Sequence, residues 1–595
     1  MTEEALASAR DASSLFREAG DLEGLADSLR LAMHAVRLQA AEARADGRAR
    51  DAIVMLEDAE SQLQEELAGF VEAKHQRGQA AMHLALAETQ HALGGSPLLT
   101  EALDNLLEAR DLAREVQDAK LEALIAHERA AVLQSKHHFK SAVQAAKEAA
   151  AYFRQVADVK NEGFALYSLG AAEVNCGRLE EGLRGKAKAL KLWKQIGDQR
   201  LQAAALCSLA EWHILAKEDF QAGIAFATES SELYRALGDC MGEATARGWL
   251  VQGHIKSKDT SEALQIASSG LEESRSRNDK KTIFHCLEAL TYARLGADEA
   301  EAALETAEES IELARELEDK RYHARALELA ATVHLGSSNL MIALERAQAS
   351  VEVMRNLDGF EADAFQSMQF LARVLMQKGD YKDALKTLER ARTLAQRVDD
   401  TYLEAVALLG MSGGHALVGD TALAVKAATL ARELFREEGY SRGEARVLKA
   451  SSEFFMQQGN YPAAVRTATE GAILMEDCGD NTFAAHLRYT LAGLHLHSER
   501  FADAARAAMD GLKLARLGED KRVTVQMMFT SLEANNAILE GAAMEEKMTK
   551  TFKQGIEKMK RLAKEAIGIS VKIKDAGLEA AANYWVGHLF LMEGR

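Results

Sequence analysis

A block of about 40 residues recurs along most of this chain, and a fixed period of that length limits the fold to stacked supersecondary units. Its markers are acidic or glycyl turns. Asp118, Asp158, Asp198, Asp239, Asp279 and Asp319 are spaced by 40, 40, 41, 40 and 40 residues. After a slip near Asp358 the series continues through Asp399, Gly439, Asp480 and Asp520. Each block holds two amphipathic stretches around a short break. Between Asp358 and Val398, Phe370-Leu371-Ala372 and Leu375-Met376 give an apolar face of period 3.6. Gly379-Asp380 interrupts it, and Ala384, Leu388, Ala391 and Leu394 resume it. The pattern predicts helix, turn, helix.

Composition agrees with a chain that is nearly all helix. Only two of the 595 residues are proline, and 48% are hydrophobic while 6% are aromatic. Pro97 and Pro462 stand where helices are expected to begin, a place where a missing N–H costs nothing. The spacing predicts about thirteen helical pairs, with a leading helix before Gly20 and a closing helix from about Gly577 to Met592. Both ends depart from the period, with 57 residues from Asp21 to Gly78 and 55 from Asp520 to Asp575. The expected division is therefore residues 1–77 as N-terminal capping helices and a first long unit, 78–519 as eleven 40-residue repeats, and 520–595 as a last long unit. No Ser/Gly/Pro-rich linker interrupts the run.

Phe370-Leu371-Ala372, Gly379-x-Tyr381, Ala384, Leu388 and Ala391 resemble the tetratricopeptide pattern, in which a Leu-Gly/Ala pair precedes an aromatic and two alanines. Leu169-Gly170 with Gly177 and Ala189 repeats it, as does Leu491-Ala492 with Phe501 and Ala504. The turns Gly238-Asp239-x-x-Gly242 and Tyr440-x-x-Gly443 are similar to the 40-residue subclass of kinesin light chains, GoLoco-binding adaptors and maltose-regulator activators. The resemblance implies an all-α, right-handed α-solenoid. It also implies that the residue after the Leu-Gly/Ala pair points into a concave groove. That series reads Ala131, Ala171, Glu211, Gln252, Tyr292, Thr332, Arg373, Gly413, Glu453 and Gly493. It contains no asparagine, so recognition by side-chain patches is expected rather than a ladder of backbone clamps.

Net charge is −19 from 91 acidic and 72 basic side chains, which argues against nucleic acid as the main partner. Five cysteines without a C-x-x-C spacing read as reduced, packed residues. An acidic N-terminus and the lack of an 18-residue apolar run point to the cytoplasm, with a cilium or the cytoskeleton permitted, and to no integral membrane segment. Gly410-Met411-Ser412-Gly413-Gly414 matches the nucleophile-elbow spacing, but that elbow needs a strand before the turn, and this segment reads as helix. His213, His254, His334, His415 and His495 recur one per repeat, about 10 Å apart by helix packing. Zinc holds each ligand at about 2 Å, so one ion cannot join them. No catalytic residue, metal ligand or cofactor is expected.

From Met544 to Lys574 the chain reads as a basic amphipathic helix. It is either a cap whose Met/Phe stripe docks on the preceding helices or a recruitment helix for an acidic partner, a membrane surface or a calmodulin-like protein. The reading that emerges is a non-enzymatic interaction scaffold, one subunit of a larger assembly, that takes peptide segments or a helical partner, possibly acidic. A ligand-sensing regulator of the maltose-activator kind and a structural cytoskeletal or ciliary subunit are the alternatives. Candidate partner-binding residues are Tyr167, Glu211, Gln252, Tyr292, Arg325, Arg373, Arg446, Lys449, Glu453 and Tyr489. Of these, Arg325, Arg373, Arg446 and Lys449 are expected to meet carboxylates. The convex face and the ends of the stack remain competing interfaces.

Overall fold

The computed structural model describes residues 2–355, 357, 359–518, 520–541, 550–573 and 575–593. Among these there is no strand. The helices fall into two compact units. Unit 1, Met1–Asn175 with Glu180–Gly419, contains α1 (Thr2–Ala19), α2 (Leu22–Ala45), α3 (Ala49–Glu72), α4 (Gln76–Leu93), α5 (Ser96–Glu115), α6 (Ala119–Ser135), α7 (Phe139–Gln155), α8 (Val159–Asn175), α9 (Leu179–Ile196) and α10 (Gln199–Leu215). It continues with α11 (Phe220–Leu237), α12 (Cys240–Lys256), α13 (Thr260–Arg277), α14 (Lys280–Gly296), α15 (Ala300–Glu316), α16 (Lys320–Gly336), α17 (Leu340–Met354), α18 (Glu361–Lys378), α19 (Tyr381–Arg397) and α20 (Thr401–Val418). Unit 2, Cys176–Leu179 with Asp420–Arg595, contains α21 (Thr421–Glu437), α22 (Ser441–Gln457), α23 (Tyr461–Cys478), α24 (Asn481–His497), α25 (Phe501–Leu517), α26 (Lys521–Glu540), α27 (Lys550–Lys572) and α28 (Ala576–Glu593). The boundary at Gly419–Asp420 falls in a turn like all the others, so no composition shift marks it.

The period has a backbone cause. From Gln117 to Glu499 one residue in every 20 or 21 has a positive φ, and nine of these twenty are glycines. A left-handed residue ends a helix by freeing the chain to turn back, and the next residue caps the following helix. The Asp118 carboxylate accepts the Leu121 N–H at 3.0 Å, Asp239 the Gly242 N–H at 2.9 Å and Asp520 the Val523 N–H at 2.9 Å. These are N-caps that satisfy donors a helix start leaves orphaned.

After the slip, the sequence register is one residue early. Asp399 and Gly439 are themselves the left-handed residues, with φ of 53° and 70°. The caps are Asp400 and Tyr440. Asp358, where the sequence places the slip, lies outside the described residues.

Each second helix is sandwiched between its own first helix and the next one. One cluster joins Ala80, Leu84 and Ala87 of α4 to Leu99, Ala102, Leu106 and Ala109 of α5 and to Leu121, Ile125 and Val132 of α6. Another joins Val251 of α12 to Ala263, Ala267 and Leu271 of α13 and to Leu287, Leu290 and Ala293 of α14. The core is thus a string of small three-helix clusters, because no pair can bury its apolar face alone. Aromatic side chains at the helix ends need glycine opposite them. A Cβ on Gly242 would collide with the Tyr234 ring, and one on Gly443 would stand 2.7 Å from Phe435 Cδ1. In both cases the glycine follows the aromatic by eight residues.

Unit 1 also makes contacts far beyond its nearest neighbours. The turn between α2 and α3 meets the starts of α14 and α16. Lys281 Nζ lies 2.9 Å from Asp46 Oδ1, and Arg321 Nη2 donates to the Ala45 carbonyl at 3.0 Å. Ala49 is buried with Ala324, Met354 and Phe360. His137, in the turn before α7, stacks on Tyr402 of α20 with centroids 4.1 Å apart.

In unit 2, the basic helix is α27. Its Ile556, Met559, Ala563 and Ala566 are buried, and Met559 and Ala563 pack with Leu532 of α26 and Leu589 of α28. The stripe is therefore occupied. Lys560, counted with the basic face, is itself buried, its Nζ 4.3 Å from the Phe590 ring centroid. Met544, Lys547, Met548 and Lys574 lie outside the described residues.

An alanine or longer side chain in the left-handed region is strained where glycine is not. Ala157, at φ 57°, is such a site, and Ala157→Gly is expected to raise stability by roughly 0.5–1 kcal/mol. Gly238→Ala, at φ 69°, is expected to lower it. Urea-denaturation midpoints check both, and a destabilised Ala157→Gly contradicts the account of the turn.

Candidate binding surface

The even-numbered helices are the inner layer of each unit. In unit 1, α2 touches α4, α4 touches α6, α10 touches α12, α12 touches α14, and the series runs on through α16 and α18 to α20. In unit 2, α24 touches α26 and α26 touches α28. No odd-numbered pair makes a comparable approach among the described residues. Where these helices cross, a small residue is required. Ala130, Gly170, Ala210, Val251, Thr291, Ala331, Ala372, Ser412, Ser452 and Ala492 are all buried. The residue after each one is at least partly exposed, and these are the ten positions expected to face a groove.

Ser412 belongs to the buried row. It is fully buried within α20, in the place held by Ala130, Ala372 and Ala492 elsewhere. Flanking glycines admit α19, since a Cβ on Gly414 would stand 2.9 Å from Leu385 Cδ2 and one on Gly410 3.1 Å from Leu388 Cδ2. The nucleophile-elbow spacing is a helix-crossing pattern. The five recurring histidines lie on α10, α12, α16, α20 and α24, and among the described residues no three metal-ligating side chains converge.

In the middle of unit 1, three of the expected residues come together. Arg325 of α16 forks onto Glu288 of α14, with Nε–Oε1 at 2.9 Å and Nη2–Oε2 at 2.7 Å. Tyr292 is half-buried one turn further along α14, where burial first and then Glu288 push its hydroxyl pKa up while Arg325 and Arg373 oppose. Burial, reinforced by Arg325, pushes His285 down to about 4, so it is neutral near pH 7. Glu328 accepts from Ser350 at 2.7 Å and Ser367 at 2.5 Å. Arg373 is exposed, with its guanidinium carbon 5.1 Å from the Phe370 ring, and has no carboxylate partner among the described residues. In unit 2, Arg446 is exposed, Lys449 pairs with Glu453 at 2.9 Å and Tyr489 is 40% exposed. The expected four-cation cluster is thus divided, with Arg325 and Arg373 in unit 1 and Arg446 and Lys449 in unit 2.

Tyr167 and Glu211 surround a buried cation that sequence reading missed. Lys186 of α9 is 3% exposed. Its Nζ bonds Ser208 and sits 4.2 Å from the Tyr167 ring and 3.6 Å from the Trp212 ring. Burial draws its pKa down to about 8, with Glu211 pulling the other way, and burial raises that of Glu211. The aromatic faces supply cation–π attraction in place of water. Glycines bring α8 and α9 together over it, since a Cβ on Gly170 would lie 2.8 Å from the Gly182 carbonyl oxygen. The signal in the sequence was Gly170, Gly182 and Gly185, three glycines inside helical patterns. Gln252, one repeat on, is half-exposed on α12.

A cleft of about 520 Å³ opens at the other end of unit 1, between α2, α4 and α6. Arg30, His34 and Arg37 of α2 line it, together with Arg77 and Glu88 of α4 and Leu121 and Leu124 of α6. Arg30, His34 and Arg37 are spaced i, i+4 and i+7, which puts them on one helix face.

Residues 363–437 match the tetratricopeptide repeat family model. No curated protein sequence matches the chain. Among solved structures, RapI in its apo form is 12% identical, covering 57% of this chain and 99% of its own at a TM-score of 0.36. BtubC from P. vanneervenii is 17% identical, covering 38% and 92% at 0.32. A signal-transduction ATPase with a tetratricopeptide repeat sensor from Pyrococcus horikoshii is 15% identical, covering 62% and 53% at 0.37. This chain spans about half the length of that last protein.

Two predictions follow from burial. Ser412→Ala is expected to leave the unfolding midpoint nearly unchanged, whereas Ser412→Leu overfills the crossing and costs about 1–3 kcal/mol. Equal midpoints for the two variants contradict the assignment of Ser412 to the helix crossing. For Lys186, the folded value of about 8 lies below the ordinary 10.5. Below pH 8 the folded chain carries the full cost of the buried charge. As pH rises from about 8 to 10.5 the folded state loses its proton first, and this group's contribution to stability rises. Lys186→Met is therefore expected to be at least as stable as the parent at pH 7 and to lose ground to it by pH 9.5. Comparing the two proteins isolates Lys186 from the Cys207 thiol, which burial pushes up to about 11. A stability difference that is flat with pH contradicts the assignment.

Proposed function

We propose that this tetratricopeptide-repeat chain is a non-enzymatic scaffold for protein–protein interaction, holding segments of partner proteins along the exposed row of its inner helices. The observation that carries the reading is the paired register of that layer. Ten successive first helices bury one small residue at the crossing and turn the next toward solvent. The exposed row changes chemistry from repeat to repeat, through Glu211, Gln252, Tyr292, Thr332, Arg373 and Glu453, as selective recognition of an extended partner requires. A stack of this kind offers a surface and no enclosed reaction chamber, and its one serine with a nucleophile-like spacing is spent on packing.

Arg373 in unit 1 and Arg446 in unit 2 are the anchors of choice. Both are exposed and neither has an ion-pair partner among the described residues, so each can meet a partner's carboxylate without first breaking an internal pair. Arg325 and Lys449 must give up Glu288 and Glu453 to do so. Arginine is over-represented among residues that dominate binding energy, and its fork matches a carboxylate. The partner is therefore a protein segment bearing acidic side chains, and the compartment is the cytoplasm, where an assembly subunit without an apolar spanning helix would meet it.

Charge reversal tests each unit separately. Arg373→Glu and Arg446→Glu are each expected to weaken binding of the purified partner tenfold or more, a loss of about 1.4 kcal/mol, with helical content and melting temperature held. Unchanged affinity in both variants moves the interface off the inner helices.

A further inference from the structure

We propose that the cleft between α2, α4 and α6 is a binding site for a small organic monocarboxylate with an apolar body. It stands apart from the docking of proteins along the exposed row and needs none of the residues assigned to it. Its volume of about 520 Å³ lies in the range of small-molecule sites, roughly 300 to 1,000 Å³.

The charge balance inside the cleft is incomplete. Glu88 serves two guanidinium groups at once, with Arg37 Nη2 at 2.5 Å and Arg30 Nη2 at 3.8 Å. Arg37 Nη1 is buried and has no hydrogen-bond partner. A buried donor left unsatisfied is unfavourable, and one carboxylate oxygen set between Arg37 and Arg30 would satisfy it while balancing the second cation. His34, beside them, adds no competing positive charge near pH 7, because burial and Arg37 hold its pKa below the ordinary value.

The surroundings select the ligand's charge and body. Arg77 closes one side of the cleft but is fully engaged, with Nη1 3.1 Å from Asp27 and Nε 3.1 Å from Asp118. With Glu88, Asp27 and Asp118 around the site, a second negative charge on the ligand is repelled, which favours a monocarboxylate over phosphate or a dicarboxylate. Leu31, 56% exposed on α2, faces solvent at the cleft with the partly buried Leu124 of α6. These two give an alkyl chain its apolar contact.

Isothermal titration of the full chain with hexanoate, 1-hexanol and inorganic phosphate tests the site. Hexanoate is expected to bind at millimolar concentration or below and to raise the melting temperature, with hexanol and phosphate at least tenfold weaker. Arg37→Lys keeps the charge opposite Glu88 but removes the forked donor, and is expected to weaken hexanoate at least tenfold. Leu31→Asp, at an exposed position that folding tolerates, adds a repelling carboxylate and is expected to do the same. The proposal is overturned if hexanoate fails to bind at millimolar concentration, if hexanol or phosphate binds as well, or if both variants bind like the parent. None of these results bears on the effects of Arg373→Glu or Arg446→Glu on a protein partner, so the two readings fail separately.

Discussion

The fold of each unit depends on how closely its inner helices can cross. Alanine, glycine, serine or threonine stands at nine of the ten crossings from Ala130 to Ala492, with Val251 as the exception. Helix axes about 8 to 10 Å apart leave room for little more. Everything else in the inner layer follows from that approach. The next residue along must point outward, the second helix must fill the space behind, and each three-helix cluster shares members with the one that follows.

Such an array puts its polar pairs one period apart. Arg325 reaches Glu288 across 37 residues, Arg346 reaches Glu308 across 38, and Arg77 reaches Asp118 across 41. Pairs of this kind, exposed at the surface, each add little stability, about 0 to 1 kcal/mol. Their larger effect is on recognition, since they determine which arginines are available. Unit 1 departs from a purely nearest-neighbour array where Asp46 and Ala49 meet helices more than 230 residues away.

Much of this was legible in the sequence, for physical reasons that also explain the gaps. The aspartates were visible because an N-cap needs a short side-chain acceptor. The left-handed residue before each cap was not, because eleven of the twenty are ordinary residues such as Ala157 and Glu218, and that ambiguity put Asp399 and Gly439 one residue out of register. The outward row was legible from the position of the small residue before it. The engagement of Arg325 was hidden because its partner lies in the preceding repeat. The Lys186 cage was hidden because helical periodicity cannot tell a lysine turned inward from one turned outward. The cleft at α2 escaped notice because α2 and α3, at 24 residues each, lie outside the 40-residue period that organised the reading.

The central claim is that small residues at the inner crossings couple each helix pair to its immediate neighbours. Hydrogen exchange on Ala210→Leu measures this directly, because Ala210 lies at the α10 crossing, fully buried with Ala227 and Leu250. If the claim holds, amide protection falls in α9 to α12 and is retained in α16 to α19 and in α22 to α26. Protection lost to the same degree along the whole chain, or unchanged in α9 to α12, would contradict it.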